Sequence, residues 1–284
     1  MGSLPLVWRH GMVNSCPLCN SQAAMQLTLP HTMVWKCGAD DCELEFASPQ
    51  LVGRDLACAY KTLYYPGTEN SHRVQREGTP DSVLRQVLLQ LEAALGALKG
   101  LRLLDYGCGR GPLSRIALEF GLIPTGIEPD PMARSFASER VGMLVYPSLA
   151  ELCSKRSAAE FDLIVLWNVI EHLPRPWSEL QELRRLLCRG GWLLLCTMNT
   201  GCLRARIEAG RWMSYEDPTH FYYFNRRSLE RVLQFSGFQR VQEWKTKIRY
   251  PHHGALRRCF YEISSALGVS DGLYYLCSAS ARGT

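Results

Sequence analysis

Two groups of residues have types and spacings that chemistry would need. The first is Asp105-Tyr-Gly-Cys-Gly-Arg-Gly111, where an apolar run (residues 101–106) meets three glycines and then a helical stretch, residues 113–120. Strand, glycine turn and helix N-terminus make a ligand cradle, because glycine lets backbone approach a ligand and takes up the tight turn at low cost. Glu128 ends the next apolar run, 23 positions after Asp105, where a carboxylate can accept hydrogen bonds from both hydroxyls of a ribose. The second group is Cys16-Pro-Leu-Cys19 and Cys37-Gly-Ala-Asp-Asp-Cys42, a C-x2-C and a C-x4-C separated by 17 residues. Two such knuckles can offer four thiolates to a tetrahedral zinc, a closed site that shapes the protein without doing chemistry. The second knuckle is two residues longer than usual, and four reduced cysteines in a disordered arm are the alternative.

The glycine spacing separates two nucleotide-like ligands. A dinucleotide fingerprint is G-x-G-x-x-G over a pyrophosphate. Here the order is G-x-G-x-G, with Asp105 two places before Gly107. S-adenosylmethionine has no pyrophosphate; its methionine end carries an ammonium and a carboxylate, which suit an acid such as Asp105 and loop N–H groups. A tight turn that holds no ligand is the plainer reading, and the paired Glu128 argues against it.

Methyl transfer from a sulfonium is an in-line displacement, so alignment supplies most of the rate and a base is needed only if the acceptor carries a proton. His172 is the first candidate base, since residues 168–173 should follow the fourth strand at its carboxyl end. It could instead orient that loop. His220 is the second, in the aromatic segment Asp217-Pro-Thr-His-Phe-Tyr-Tyr-Phe224, which would cover an acceptor pocket or simply pack.

Positioning these residues requires an alternating pattern of elements, and the chain has one. Apolar runs at 101–106, 122–128, 143–146, 161–167, 192–198 and 238–243 alternate with helical stretches, with a possible seventh strand at 273–279. That alternation predicts an α/β fold with a mainly parallel sheet covered on both faces. A helix over 81–100 precedes the first strand, and another starts at Asn225 with Leu229, Val232, Leu233 and Phe235 inward. The reading divides the chain into a zinc-ribbon-like module (1–50), an irregular linker or lid (51–80) with Tyr64 and Tyr65 as lid candidates, and a main domain. That domain spans 81–284, with an insertion at 246–272 holding a helix over 256–267.

With 46% hydrophobic residues the chain can bury a full core, and its net charge of +5 is too mild to mark a nucleic-acid binder by itself. No run of 18 uncharged apolar residues and no cleavable leader occurs, so the expectation is a cytoplasmic protein with no membrane partner. The remaining eight cysteines have no ligand-like spacing and read as core or surface thiols.

Asp105 to Gly111, Ile127-Glu-Pro-Asp130, Trp167-Asn-Val-Ile-Glu-His-Leu173, Arg189-Gly-Gly-Trp192 and Met198-Asn199 together resemble class I S-adenosylmethionine-dependent methyltransferases of the ubiquinone-biosynthesis O-methyltransferase type. The resemblance implies a doubly wound, Rossmann-like seven-stranded sheet whose last strand is antiparallel. It also implies that Gly107, Cys108 and Gly109 face the methionine moiety, Glu128 the ribose, Pro129, Ser148 and Leu149 the adenine, and Asn168 the approach to the sulfonium. The cysteine module resembles zinc-binding segments ahead of some bacterial small-molecule and sugar methyltransferases. The expected activity is methyl transfer to oxygen or carbon of a small molecule, a secondary metabolite or a sugar. Asn168 is followed by Val-Ile-Glu, not by the Pro-Pro-aromatic run used on base amines, and no Pro-Cys nucleophile stands there. The alternatives are an RNA methyltransferase gripping phosphates with arginines such as Arg204, Arg206, Arg211, Arg226, Arg227, Arg257 and Arg258, and a non-catalytic partner that keeps the fold. Residue types leave the acceptor and the oligomeric state open.

Overall fold

The computed structural model describes residues 14–64, 79–156, 158–246, 248, 264 and 269–279. Its larger sheet has seven strands: β4 (Arg102–Tyr106), β5 (Ile123–Ile127), β6 (Leu144–Tyr146), β7 (Phe161–Trp167), β8 (Leu187–Met198), β10 (Arg240–Glu243) and β11 (Gly272–Ser278). They lie in the order β10-β11-β8-β7-β4-β5-β6, with β11 antiparallel to both of its neighbours and the other pairs parallel. This is the expected sheet, including its antiparallel last strand.

The central strands read as unbroken apolar runs because each face is covered. Leu104, Ile164, Leu166, Leu193 and Leu195 pack on one side with α6 (Pro176–Leu186) and α8 (Arg226–Phe235). Leu103, Leu163, Val165 and Leu194 pack on the other with α2 (Asp81–Leu95) and α3 (Pro112–Glu119). Successive residues of a strand point to opposite faces, so both faces are mainly apolar, and the buried polar groups Asp105 and Thr197 near the strand ends have hydrogen-bond partners. Helix α8 buries Leu229, Val232 and Leu233 as expected, whereas Phe235 is half exposed. The buried stripe continues at Ser236, seven positions after Leu229, which leaves residue 235 beside it.

Strand order reverses beside β4: β5 and β6 extend to one side, β7 and β8 to the other. The crevice outside the carboxyl ends of β4 and β7 is therefore the topological switch point, the position where open α/β sheets hold ligands. Helices α4 (Pro131–Val141) and α5 (Leu149–Lys155) follow β5 and β6, and the short α7 (Leu203–Glu208) follows β8.

The N-terminal cysteine segment forms β1 (Ala23–Thr28), β2 (Met33–Cys37) and β3 (Glu45–Ser48), an antiparallel meander. Its sheet has a fourth strand, β9 (Tyr222–Tyr223), contributed by the main domain: Glu45 pairs with Tyr223 and Phe46 with Tyr222. Tyr222 and Tyr223 are therefore buried sheet residues. Phe46 belongs to the same buried cluster as Leu229 and Leu233, so the core runs continuously from module to domain.

The stretch read as an irregular linker holds α1 (Gly53–Tyr64). Leu56, Tyr60, Leu63 and Tyr64 recur at three- and four-residue steps and form its half-buried side. Tyr65 lies outside the described residues, as do Arg257, Arg258 and, apart from Ser264, the helix expected over 256–267. Among the described residues no helix is long and apolar enough to cross a membrane.

Candidate active site

At the end of β4 the chain turns through Gly107, Gly109 and Gly111, all at positive φ, and Gly111 caps α3. A Cβ on Gly107 would sit 2.6 Å from Cγ2 of Val169, so this glycine is what lets the β4 loop lie against the β7 loop. The N–H groups of Gly107 and Cys108 donate to the Ile127 carbonyl at 2.8 and 3.0 Å, and Gly109 N–H donates to Glu128 Oε2 at 2.9 Å. These loop N–H groups, expected to await a ligand, instead weld the turn to the end of β5. The Cys108 side chain is buried with Ala137 and Met143.

Glu128 is buried and its other oxygen accepts from Asp130 N–H at 2.8 Å, so its orientation is set from both sides. Pro129 and Ser148 are exposed and Leu149 is buried, and Glu128 N–H donates to the Tyr146 carbonyl, two residues before Ser148. Asp105 accepts from Ser114 Oγ at 2.7 Å, and burial pushes its pKa up to about 6. Asn168 stands exposed at the rim of the crevice with φ of +54°, a left-handed conformation that asparagine tolerates better than most residues, and its N–H donates to the Cys196 carbonyl.

His172 ends the short 3-10 turn Ile170–His172 that follows β7, and His220 precedes β9. The structure brings these two distant residues together, with ring centroids 4.6 Å apart. Tyr60 and Tyr64 of α1 add two more rings, each within 6 Å of the His172 centroid. Beneath them lies Asp217, which is fully buried. One of its oxygens accepts from the Thr219 N–H at 2.9 Å and the Thr219 hydroxyl at 2.6 Å; the other accepts from the Tyr64 hydroxyl and lies 3.7 Å from His220 Nε2. Burial opposes its ionisation, but His220, the Thr219 and Tyr64 hydrogen bonds and His172 together outweigh burial and hold the carboxyl well below the usual range.

Asp217 and Thr219 are the polar centre of this cluster, and sequence reasoning passed over them in favour of the histidines. The short repeat of polar types in Asp217-Pro-Thr-His220 was the available signal. Glu171 is also buried; Thr197 Oγ1 donates to it at 2.9 Å and burial raises its pKa to about 7. Donor atoms of Glu171, His172 and His220 lie within 4.8 Å of one another. They are engaged inside the protein, with His220 Nδ1 2.7 Å from the Ser214 carbonyl and Nε2 facing Asp217, so the grouping fits proton handling better than metal ligation.

The four cysteine sulfurs also converge within 4.8 Å of one another, with Cys16 to Cys42 at 3.8 Å and Cys19 to Cys37 at 3.4 Å. A regular tetrahedron with metal–sulfur bonds of about 2.3 Å has edges of about 3.8 Å, so the donor set has the size of a four-thiolate metal site. The hydrogen bond from Cys42 holds Cys16 down at about 5, while that same bond and burial push Cys42 far up. A divalent cation is the partner that lets all four ionise together. The second knuckle is tied to α8: Asn225 donates to Glu43, Arg227 pairs with Glu43 and the Asp40 carbonyl, and Arg231 pairs with Asp41.

Comparison with known proteins agrees with this geometry. The family described as methyltransferase domain matches residues 74–243. The ubiquinone biosynthesis O-methyltransferase of Leptothrix cholodnii is 30% identical over 115 residues, 38% of this chain and 49% of that protein. The protein of the same name from Caulobacter is 33% identical over 106 residues, 36% of this chain and 42% of the relative. The chain thus spans about half the length of the curated relatives it matches. In fold it resembles a SAM dependent methyltransferase from Archaeoglobus fulgidus, with a TM-score of 0.50, 20% identity, and 69% of this chain and 93% of that one covered. The match over most of the larger sheet, together with the glycine turn, the acid at the end of β5 and the strand order, places this chain in the methyltransferase domain family, of the class I S-adenosylmethionine-dependent type.

Proposed function

We propose that this chain transfers the methyl group of S-adenosylmethionine to oxygen or carbon of a small-molecule acceptor, a secondary metabolite or a sugar, by in-line displacement. One observation carries the reading: Gly107 of the candidate adenosyl cradle lies against Val169 in the β7 loop, and that same loop carries the half-buried His172, whose ring meets His220 beside the buried Asp217. Gly107, Cys108 and Gly109 would shape the methionine end of the site, Asp105 would balance its ammonium, Glu128 would hold the ribose, and Pro129, Ser148 and Leu149 would border the adenine. Asn168 would line the approach to the sulfonium. Zinc in the four-cysteine site would be structural, since four thiolates leave no open coordination position.

RNA as acceptor has less support. Of the arginines offered for phosphates, Arg204 pairs with Glu208 and Asp271, Arg226 with Glu243 and Arg227 with Glu43. Incubation with methyl-labelled donor and separate small-metabolite and RNA fractions tests both readings. Label is expected in the metabolite fraction; label in RNA alone would overturn the small-molecule assignment, and label in neither would revive a non-catalytic role.

Donor binding should also depend on pH, with a sign set by Asp105. Its pKa of about 6 in the ligand-free protein means that below pH 6 the group is neutral. A bound ammonium favours the ionised form, so binding expels a proton. Affinity for S-adenosylmethionine is therefore expected to fall as pH drops below 6, by up to about tenfold per pH unit, and to level off above it. Calorimetric titration between pH 5 and 8 checks this, and affinity independent of pH over that interval would remove Asp105 from the ammonium site.

A further inference from the structure

The hydrogen bonds around Thr219 carry more information than proximity. A threonine hydroxyl has one proton. Here it is directed to Asp217, at 2.6 Å from an oxygen that can only accept. The Thr219 oxygen therefore presents lone pairs to its other neighbour, His172 Nδ1 at 3.1 Å. The second group beside Nδ1 is the Thr219 carbonyl at 3.3 Å, again an acceptor. Both contacts demand a proton on Nδ1, so in the neutral ring the nitrogen that can take up a proton is Nε2.

His220 is held differently. Its Nδ1 must donate to the Ser214 carbonyl at 2.7 Å, while Nε2 faces Asp217. Both ring nitrogens of His220 are thus turned to protein acceptors, which sets it as a buttress beside Asp217. Thr219 and Asp217 are completely buried, so water does not compete for these bonds.

We propose that Asp217, acting through the Thr219 hydroxyl, is a positioning residue that fixes His172 as the Nδ1–H tautomer and makes Nε2 the base for methyl transfer. This rests on the methyltransferase reading above. As the acceptor oxygen or carbon attacks, its new bond to the methyl carbon forms and the methyl–sulfur bond breaks, with the electron pair going to sulfur. The acceptor's proton passes to His172 Nε2. The products are the neutral thioether, the methylated acceptor and an imidazolium, which later releases its proton to solvent. Asp217, one hydroxyl away, stabilises that imidazolium as an oriented carboxylate does behind a catalytic histidine.

The test needs no acceptor. The full chain labelled with nitrogen-15 histidine reports each ring nitrogen by NMR above the ring pKa, and the His172 signals are assigned by their loss in His172→Gln. A pyrrole-type Nδ1 and a pyridine-type Nε2 are expected in the unaltered protein, with a shift toward mixed tautomers in Thr219→Val and recovery in Thr219→Ser. A pyridine-type Nδ1 in the unaltered protein would overturn the proposal whether or not the variants fold. So would an unchanged tautomer in folded Thr219→Val and Asp217→Asn. Calorimetry with S-adenosylmethionine, run on the same samples, separates the two levels: absence of donor binding condemns the methyltransferase reading, whereas the tautomer pattern judges the relay alone.

Discussion

Replacing Glu128 by alanine is expected to weaken S-adenosylmethionine binding by about 100-fold or more, the loss that accompanies removal of two charge-assisted hydrogen bonds to a ribose. The side chain acts twice. Its carboxylate would take the ribose hydroxyls, and in the ligand-free protein it already holds Gly109 N–H and Asp130 N–H, joining the glycine turn to the start of α4. Alanine removes the ligand's acceptor and leaves two loop donors without their partner, so the cradle loses shape as well as charge. Glu128→Gln keeps the size and one acceptor oxygen and is expected to fall between the two. Calorimetry measures both variants, and an alanine variant within threefold of the unaltered protein would take Glu128 out of the donor site.

Cys42→Ser is expected to abolish stoichiometric zinc and to lower the melting temperature by about 10 °C or more, because a four-thiolate site supplies folding free energy directly and a few kcal/mol is worth several degrees in a chain of this size. Cys42 is fully buried, and its knuckle anchors to α8 through Asn225, Arg227 and Arg231. Release of the knuckle should loosen β3 and with it β9, which directly follows the loop carrying Asp217, Thr219 and His220. A strong chelator should reproduce the melting shift in the unaltered protein. Metal analysis and a melting curve decide the matter: a variant that melts with the original protein would show that the cysteines are ordinary core thiols.

Most of the large sheet was legible because strands buried on both faces must be mainly apolar, and residues 163–167 and 192–196 contain nothing else. The order of those strands was available only through resemblance, since no residue announces that β11 lies between β8 and β10. Helix α1 was missed because Tyr60 and Tyr64 cluster with Tyr65, Pro66 and Gly67 just after it and suggested a loop, although Leu56, Tyr60, Leu63 and Tyr64 had helical spacing. The histidines were found by type and loop position. Asp217 and Thr219 escaped because their role depends on a contact with His172, far away in the chain, that no local pattern encodes. Pairing of β3 with β9 was hidden for the same reason: Phe46 and Tyr222 are each plain apolar-strand residues until they are placed side by side.

The shared sheet also changes what counts as a transferable part of this protein. A cut near residue 50 looks natural from the cysteine spacing, yet it would strip β9 of its only strand partner among the described residues and uncover Tyr222 and Tyr223 on one piece and Phe46 on the other. Each fragment would present a raw, greasy edge prone to self-association. A chimera built by exchanging the cysteine segment between relatives would therefore have to carry β9 and the first turn of α8 with it, so that the inherited cassette is two stretches of chain and not one.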